Sequence, residues 1–243
     1  MTPRDLTGTG TSEQDWQASG VLAALPRVTP ADVRPAGRVV VLAPHPDDET
    51  LGVGATLATW ARAGAAVTVL AVTDGEASHP GSPTLSPARL VERRVAERTA
   101  ALHRLGLAGA PVVRAGLPDG GVADRRADLA ALLTDLVSPG DTLLAPVPGD
   151  GHPDHDAVAD VAADAGVPVL GYAVWWWHWA AAGELPPGAV VIGPDEAARE
   201  AKRDAVSCFR TQVEPLSDHP ADAAILPPPV LERLLRHEEV LWR

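Results

Sequence analysis

The chain has 243 residues, a formal net charge of −12, a hydrophobic fraction of 46% and a single cysteine. That length supports one large domain with a sizeable core, the acidic balance excludes a phosphate-tracking nucleic-acid groove, and Cys208 alone excludes an intrachain disulfide or a cysteine zinc cage, with reducing cytoplasm as the expected compartment. No segment approaches the roughly 18 consecutive apolar residues of a membrane span, and the opening "MTPRDLTGTGTSEQDWQASG" carries acids where a secretory signal needs an apolar core, so it reads as a loose N-terminal arm.

From residue 38 onward, short apolar runs alternate with helical stretches, which implies parallel strands joined by crossover helices. "RVVVLAP" reads as a buried strand, "TLGVGATLATWARAG" as a helix and "AVTVLAVTDG" as the next strand. After a loop rich in Pro and Ser at 78–87, "ARLVERRVAERTAALHRLG" has helical spacing and stops at Gly106. Then come "APVVRAGLPDGG", a helix over "ADRRADLAALLTDLVS", the strand "DTLLAPVP", a helix over "DHDAVADVAADAG" and a further strand, "VPVLGYAVWWW". The expected fold is α/β, a Rossmann-like doubly wound and mostly parallel sheet in a single domain. An N-terminal extension covers 1–37, the body 38–213, and a C-terminal extension packing on the same domain 214–243. In such sheets ligands sit outside the carboxyl ends of the strands.

Two loops at such ends carry chemistry. "PHPDDE" follows the first strand and places His45, Asp47, Asp48 and Glu49, all costly to desolvate, where a buried run finishes. Acids are common at a helix start, so this stretch alone also fits a plain N-terminus. "GDGHPDHDAV" follows "DTLLAPV" and sets His152 and His155 three apart, facing one way if a helix begins there. Both loops contain His-Pro-Asp, both open on the same rim, and a divalent cation explains the pair. Imidazoles with one carboxylate suit zinc, and a catalytic zinc keeps three protein ligands and an open position. His45, Asp47, Asp48, His152 and His155 compete for those three places. Asp47 and Asp48 are adjacent and point in different directions, so one ligates and the other is left as a base.

The stretch "APHPDDETLGVGATLA", with "HPDHDAV", resembles the PIG-L/LmbE-like family of metal-dependent N-acetylglucosaminyl deacetylases. "TDGE" at 73–76, Arg94, Glu97, Leu105 and Gly106, "LPDGG" at 117–121, and Lys202, Ala205, Phe209, Thr211 and Gln212 extend the resemblance from about residue 38 to about 213. It implies a hydrolase that removes an N-acyl group, acetyl in the first instance, from an amino-sugar conjugate, with one Zn2+ per chain and Fe2+ as the cellular alternative. It implies His45, Asp48 and His155 as ligands and Asp47 as general base, with a protonated His152 as the polarising or acid group. Asp154 would orient an imidazole, a helix cap being an equal reading. Arg94 and Asp119 would grip the substrate, against an ion pair with Glu97 or Glu92 for the first and a plain turn for the second. Some relatives place a Tyr just before the second motif, where this chain has Pro148, Gly149 and Asp150, and many have a basic residue at the position of Asp156. The competing readings are an amidase for a larger thiol or acyl conjugate and, from another class, a catalytically silent sugar-binding protein.

Four tryptophans in five positions within "YAVWWWHWA", 172–180, cannot all enter one face of a strand. They fit a stacking wall for a sugar or an aromatic aglycone, with His178 near the metal rim as a substrate contact, or else core and interface packing. Together with the apolar C-terminal "VLERLLRHEEVLWR" they also provide a surface for a homo-oligomer.

Overall fold

In the computed structural model, which describes residues 8–243, the apolar runs become eight strands: β1 (Arg27–Val28), β2 (Val39–Ala43), β3 (Val67–Ala71), β4 (Val112–Arg114), β5 (Thr142–Pro146), β6 (Val169–Tyr172), β7 (Ala189–Ile192) and β8 (Glu239–Trp242). They form one sheet in the order β1-β7-β8-β6-β5-β2-β3-β4. Every neighbouring pair is parallel except at β8, which runs antiparallel to both β6 and β7. The helices are α1 (Glu13–Ala18), α2 (Val21–Ala24), α3 (Asp48–Arg62), α4 (Pro87–Arg104), α5 (Arg126–Leu136), α6 (Pro153–Ala163), α7 (Trp176–Trp179), α8 (Glu196–Val206), α9 (Arg210–Val213) and α10 (Pro228–Leu234). The mostly parallel, doubly wound α/β sheet expected from the alternating runs is the architecture observed.

The unbroken "VVVLA" of β2 has its explanation in burial on both faces. Val39, Val41 and Ala43 join a core shared with α3, α4 and α8, while Val40 and Leu42 join a second core with α5 and α6. The chain winds from β2 out to β3 and β4, then returns to β5 on the other side of β2. Loops leaving the carboxyl ends of β2 and β5 therefore open side by side, at the position where the winding reverses.

Helix α3 is two helices meeting at Val53, whose φ of −143° and ψ of 24° are not helical. The break frees the N–H groups of Ala55 and Thr56, and both donate to the carboxylate of Glu239 from β8, at 2.9 and 2.8 Å. Lys202 of α8 donates to the same carboxylate at 2.8 Å. A buried acid 184 residues away in sequence from Ala55 thus acts as the cap of the second half of α3. Gly52 lies against the ring of Tyr172, where a Cβ would come within 2.4 Å of Cδ2, so no larger residue fits there without displacing the tyrosine.

Three segments depart from expectation. The described part of the N-terminal arm is docked: Ser12 makes a capping box with Asp15, and Trp16 is wholly buried, with its indole N–H donating to the Trp177 carbonyl at 2.9 Å. The strand at 167–177 ends at Tyr172, and Trp176–Trp179 form a single helical turn. The C-terminal segment, expected as an extension packing on the same domain, goes further and enters the sheet itself, filling the slot between β6 and β7 and burying all four residues of β8. Among the described residues no helix is long and apolar enough to cross a membrane.

Candidate metal centre

β2 finishes at Ala43, and the next carbonyl, Pro44, accepts from both the backbone N–H and the hydroxyl of Thr73, at 3.0 and 2.8 Å. This fixes the start of "PHPDDE". Asp47 then adopts φ 147°, the one non-glycine among the described residues with positive φ, and α3 begins at Asp48. A residue held in that region is strained by about 1–3 kcal/mol, which is tolerated where the surroundings dictate the geometry. The turn folds Asp48 back so that its Oδ2 accepts from the His45 N–H at 2.8 Å. On the neighbouring strand end, Pro153 opens α6 and His152 caps it, Nδ1 accepting from the Asp154 N–H at 3.2 Å. His155 is thereby turned inward and is wholly buried.

Three atoms from the two loops converge. His45 Nδ1 lies 3.3 Å from His155 Nε2, and Asp48 Oδ2 lies 3.2 Å from the first and 3.1 Å from the second. A tetrahedral ion held at about 2.1 Å needs ligand atoms about 3.4 Å apart, so this nearly equilateral triangle fits a zinc-type cation with one face left open. Two wider groups, His45 with His152 and His155, and His45 with Asp119 and Asp154, also have ligand atoms within 4.8 Å of one another. In the second of these the carboxylates face His45 Nε2, the nitrogen opposite the triangle.

Both rings are held by further partners. Asp119 Oδ1 and Asp154 Oδ2 lie 3.1 and 3.2 Å from His45 Nε2, which places the proton on that nitrogen and leaves Nδ1 as the donor atom. Asp154, wholly buried, also accepts from the Gly120 and Val122 N–H groups at 2.7 and 3.1 Å, so the cap role passes to His152. His155 Nδ1 donates to Asp150 Oδ2 at 2.7 Å. Asp150, also wholly buried, accepts in addition from the backbone N–H groups of Val174, Trp175 and Trp176 at 2.9–3.0 Å. Those three bonds end β6 and curl the tryptophan run into α7. In the sequence Asp150 stands out only as one of three residues where some relatives have a tyrosine; the sign of its role there is an acid set between two glycines, Gly149 and Gly151, which the structure shows to have positive φ.

The electrostatics suit a cation. Burial opposes protonation of His155, yet Asp48 and Asp150 outweigh it and push the imidazole up to about 9. His45 is likewise raised well above its ordinary value by Asp119, Asp154 and Asp48 against the cost of burial. Burial works against ionisation of Asp48, but His155 and His45 hold its carboxyl far below the usual range. The cluster as it stands demands positive charge, which a divalent ion supplies in place of protons. Asp47 is different: burial pushes its carboxyl up to about 7, with Arg94 pulling the other way and Asp48 adding to the rise. His152 is pushed down to about 3 by burial and by the charge on His45 and His155, which favours its neutral form over the protonated one expected from the sequence.

Arg94, only 3% exposed, donates to the Pro46 and Gly75 carbonyls at 3.1 Å and pairs with Asp47 at 3.2 Å, rather than with Glu92 or Glu97. Gly75 is required for this approach, since a Cβ there would sit 2.0 Å from Arg94 Nη1. His45, Asp47, Asp48, Arg94, Asp119 and His152 all line one cavity of about 760 Å³. His178 does not reach it. Its Nδ1 accepts from Arg233 at 2.8 Å and its carbonyl from the Thr11 N–H, beneath the N-terminal segment. Of the tryptophans, Trp175 lines the cavity, whereas Trp177 is buried between Trp16 and Trp242. Asp156 closes its own loop, accepting from the Gly149 N–H at 3.0 Å.

Asp150→Asn is expected to weaken metal affinity by about 10–100-fold, because the fixed tautomer of His155 is lost. A competitive chelator titration measures this, and unchanged affinity would show that Asp150 matters only to the α7 turn.

The sequence profile of the PIG-L family, described as GlcNAc-PI de-N-acetylase, matches residues 40–166, just over half of the chain. The chain is similar to the 1D-myo-inositol 2-acetamido-2-deoxy-alpha-D-glucopyranoside deacetylase of Kineococcus radiotolerans, at 41% identity over 73 residues. That is 29% of this chain and 20% of the relative, well under two thirds of its length. With the enzyme of the same name from Tsukamurella paurometabola the identity is 28% over 250 residues, 78% of this chain and 84% of the relative. Among solved structures, a deacetylase of the A40926 pseudoaglycone superposes with a TM-score of 0.60 at 29% identity, covering 84% of this chain and 96% of that one.

Proposed function

The chain belongs to the PIG-L family, and from that membership we propose that it is a metal-dependent N-deacetylase. It removes an acyl group, acetyl in the first instance, from an amino-sugar conjugate by hydrolysis of the amide. His45, Asp48 and His155 hold one Zn2+, or Fe2+ in its place. The curated relatives are named for a 2-acetamido-2-deoxyglucopyranoside, which supports N-acetylglucosamine as the sugar. The observation that carries the reading is the triangle of ligand atoms with a separate carboxylate, Asp47, next to it in the chain. A complete donor set beside a carboxylate left outside it supports hydrolysis over the catalytically silent alternative.

When bound, the cation polarises the amide oxygen and acidifies a water molecule. Asp47 takes the proton of the water whose oxygen adds to the amide carbon, and returns it to the nitrogen as the C–N bond breaks, leaving the carboxylic acid and the amine, between which the acid proton then passes to give carboxylate and ammonium. Arg94 keeps Asp47 aimed and its carboxylate ionised. Neutral His152 accepts at Nδ1, so its proton sits on Nε2, from which it donates to the amide oxygen as negative charge builds there. One such donor is worth about 2.7–4 kcal/mol. Arg94 and Asp119 line the cavity and stand as substrate contacts as well as props for Asp47 and His45; we assign no such contact to His178.

The test is amine release from N-acetylglucosaminyl conjugates before and after chelation. Activity is expected to vanish with the metal and to return with one equivalent of zinc. Undiminished activity in metal-free protein would overturn the assignment.

A further inference from the structure

The cavity has two unlike halves. One is the polar rim of His45, Asp47, Asp48, Asp119 and His152. The other is a wall from the C-terminal segment, in which Ala223, Ala224, Ile225, Leu226 and Pro227 face the cavity together with Trp175. The one ionisable side chain of that segment between 220 and 227, Asp222, is wholly buried and turned away from the cavity. Its carboxylate accepts from the hydroxyls of Ser82, Thr84 and Ser217. Further along, the Leu226 N–H donates to the Gln212 carbonyl at 2.8 Å, and the Leu216 N–H to the Asp222 carbonyl at 2.8 Å. The wall is therefore fixed at both ends, and its shape exists before any ligand arrives.

Resting on the amino-sugar deacetylase reading, we propose that this wall holds an apolar substituent of the substrate, so that the preferred conjugate is not a polyol glycoside of the kind that names the curated relatives. A cyclitol set against alanine, isoleucine, leucine and proline side chains would surrender its hydration on that side with no side-chain partner from the 223–227 wall in return. An aryl or alkyl group gains from the same contact, and Trp175 adds a flat face for a ring. The apolar group has two points of attachment, the anomeric oxygen of the sugar or the acyl carbon.

Three substrates separate these: an inositol glycoside of N-acetylglucosamine, an aryl glycoside of the same sugar, and a polyol glycoside bearing an N-octanoyl group. Wild-type kcat/KM is expected to favour one of the two apolar substrates over the N-acetyl inositol glycoside by at least about 10-fold, the scale of small changes in a hydrophobic pocket. Which of the two gains identifies the attachment. Ile225→Ser, and independently the half-exposed Ala224→Asp, should narrow that ratio, with thermal melting confirming that each variant is folded. Equal turnover of all three substrates, or a ratio unmoved in both folded variants, overturns the proposal. If none is deacylated, calorimetric binding of the aryl and inositol glycosides decides: tighter aryl binding lost in Ile225→Ser keeps the wall and sinks the enzyme assignment, and equal or absent binding sinks the wall.

Discussion

Asp47→Asn is expected to lower turnover by about 10²–10⁴-fold, the usual worth of a general base, with metal content unchanged. The carboxylate is within the first motif but outside the ligand triangle, so its loss leaves His45, Asp48 and His155 in place. Burial lifts its carboxyl to about 7 against the pull of Arg94, and a cation in the triangle lowers it again. The base must be ionised to act, so wild-type activity is lost as pH falls through this lowered value, giving an acidic limb in kcat/KM whose midpoint lies below about 7. In the Asn variant the residual rate should show no such limb. A variant with near-normal turnover and full metal would remove Asp47 from the mechanism.

His155→Ala should lose the metal itself, and activity with it. Two buried carboxylates, Asp48 and Asp150, then lose the imidazole between them. Breaking one partner of a buried charged pair costs about 3–5 kcal/mol, so a lower melting temperature should accompany the loss. Elemental analysis of the purified variant is the measurement. Stoichiometric metal in His155→Ala would mean that the ion sits elsewhere, with the wider group of His45, Asp119 and Asp154 as the next place to look.

The sheet and the two motif loops are legible in the sequence because their determinants are local: apolar runs buried on both faces, glycine stops, and short polar turns directly after strands. Less legible is whatever a distant partner decides. The tryptophan run reads as a strand by continuity with β6, yet a carboxylate some 24 residues earlier captures its N–H groups and bends it. Trp16 is a lone aromatic in a polar stretch, and nothing nearby announces that Trp177 receives its indole. Arg94 has acids at helical spacing, and the fold gives it Asp47 instead. The apolar wall at 223–227 is also invisible as such, since Ala and Pro in a loop look the same whether they face water or a substrate.

The placement of β8 ties the sheet's far edge to the candidate metal centre. β1 and β7 meet the rest of the sheet only through that inserted strand, which pairs Gly171 with Trp242 across a long stretch of chain. Those three strands should come loose and re-form as one cooperative unit. The same strand carries Glu239, whose carboxylate secures the middle of the helix that begins at Asp48. Any opening at this margin withdraws support from the helix that carries Asp48, so, with the proposed ligand set, conformational fluctuation at the periphery and the residence of an ion at the centre would be thermodynamically linked.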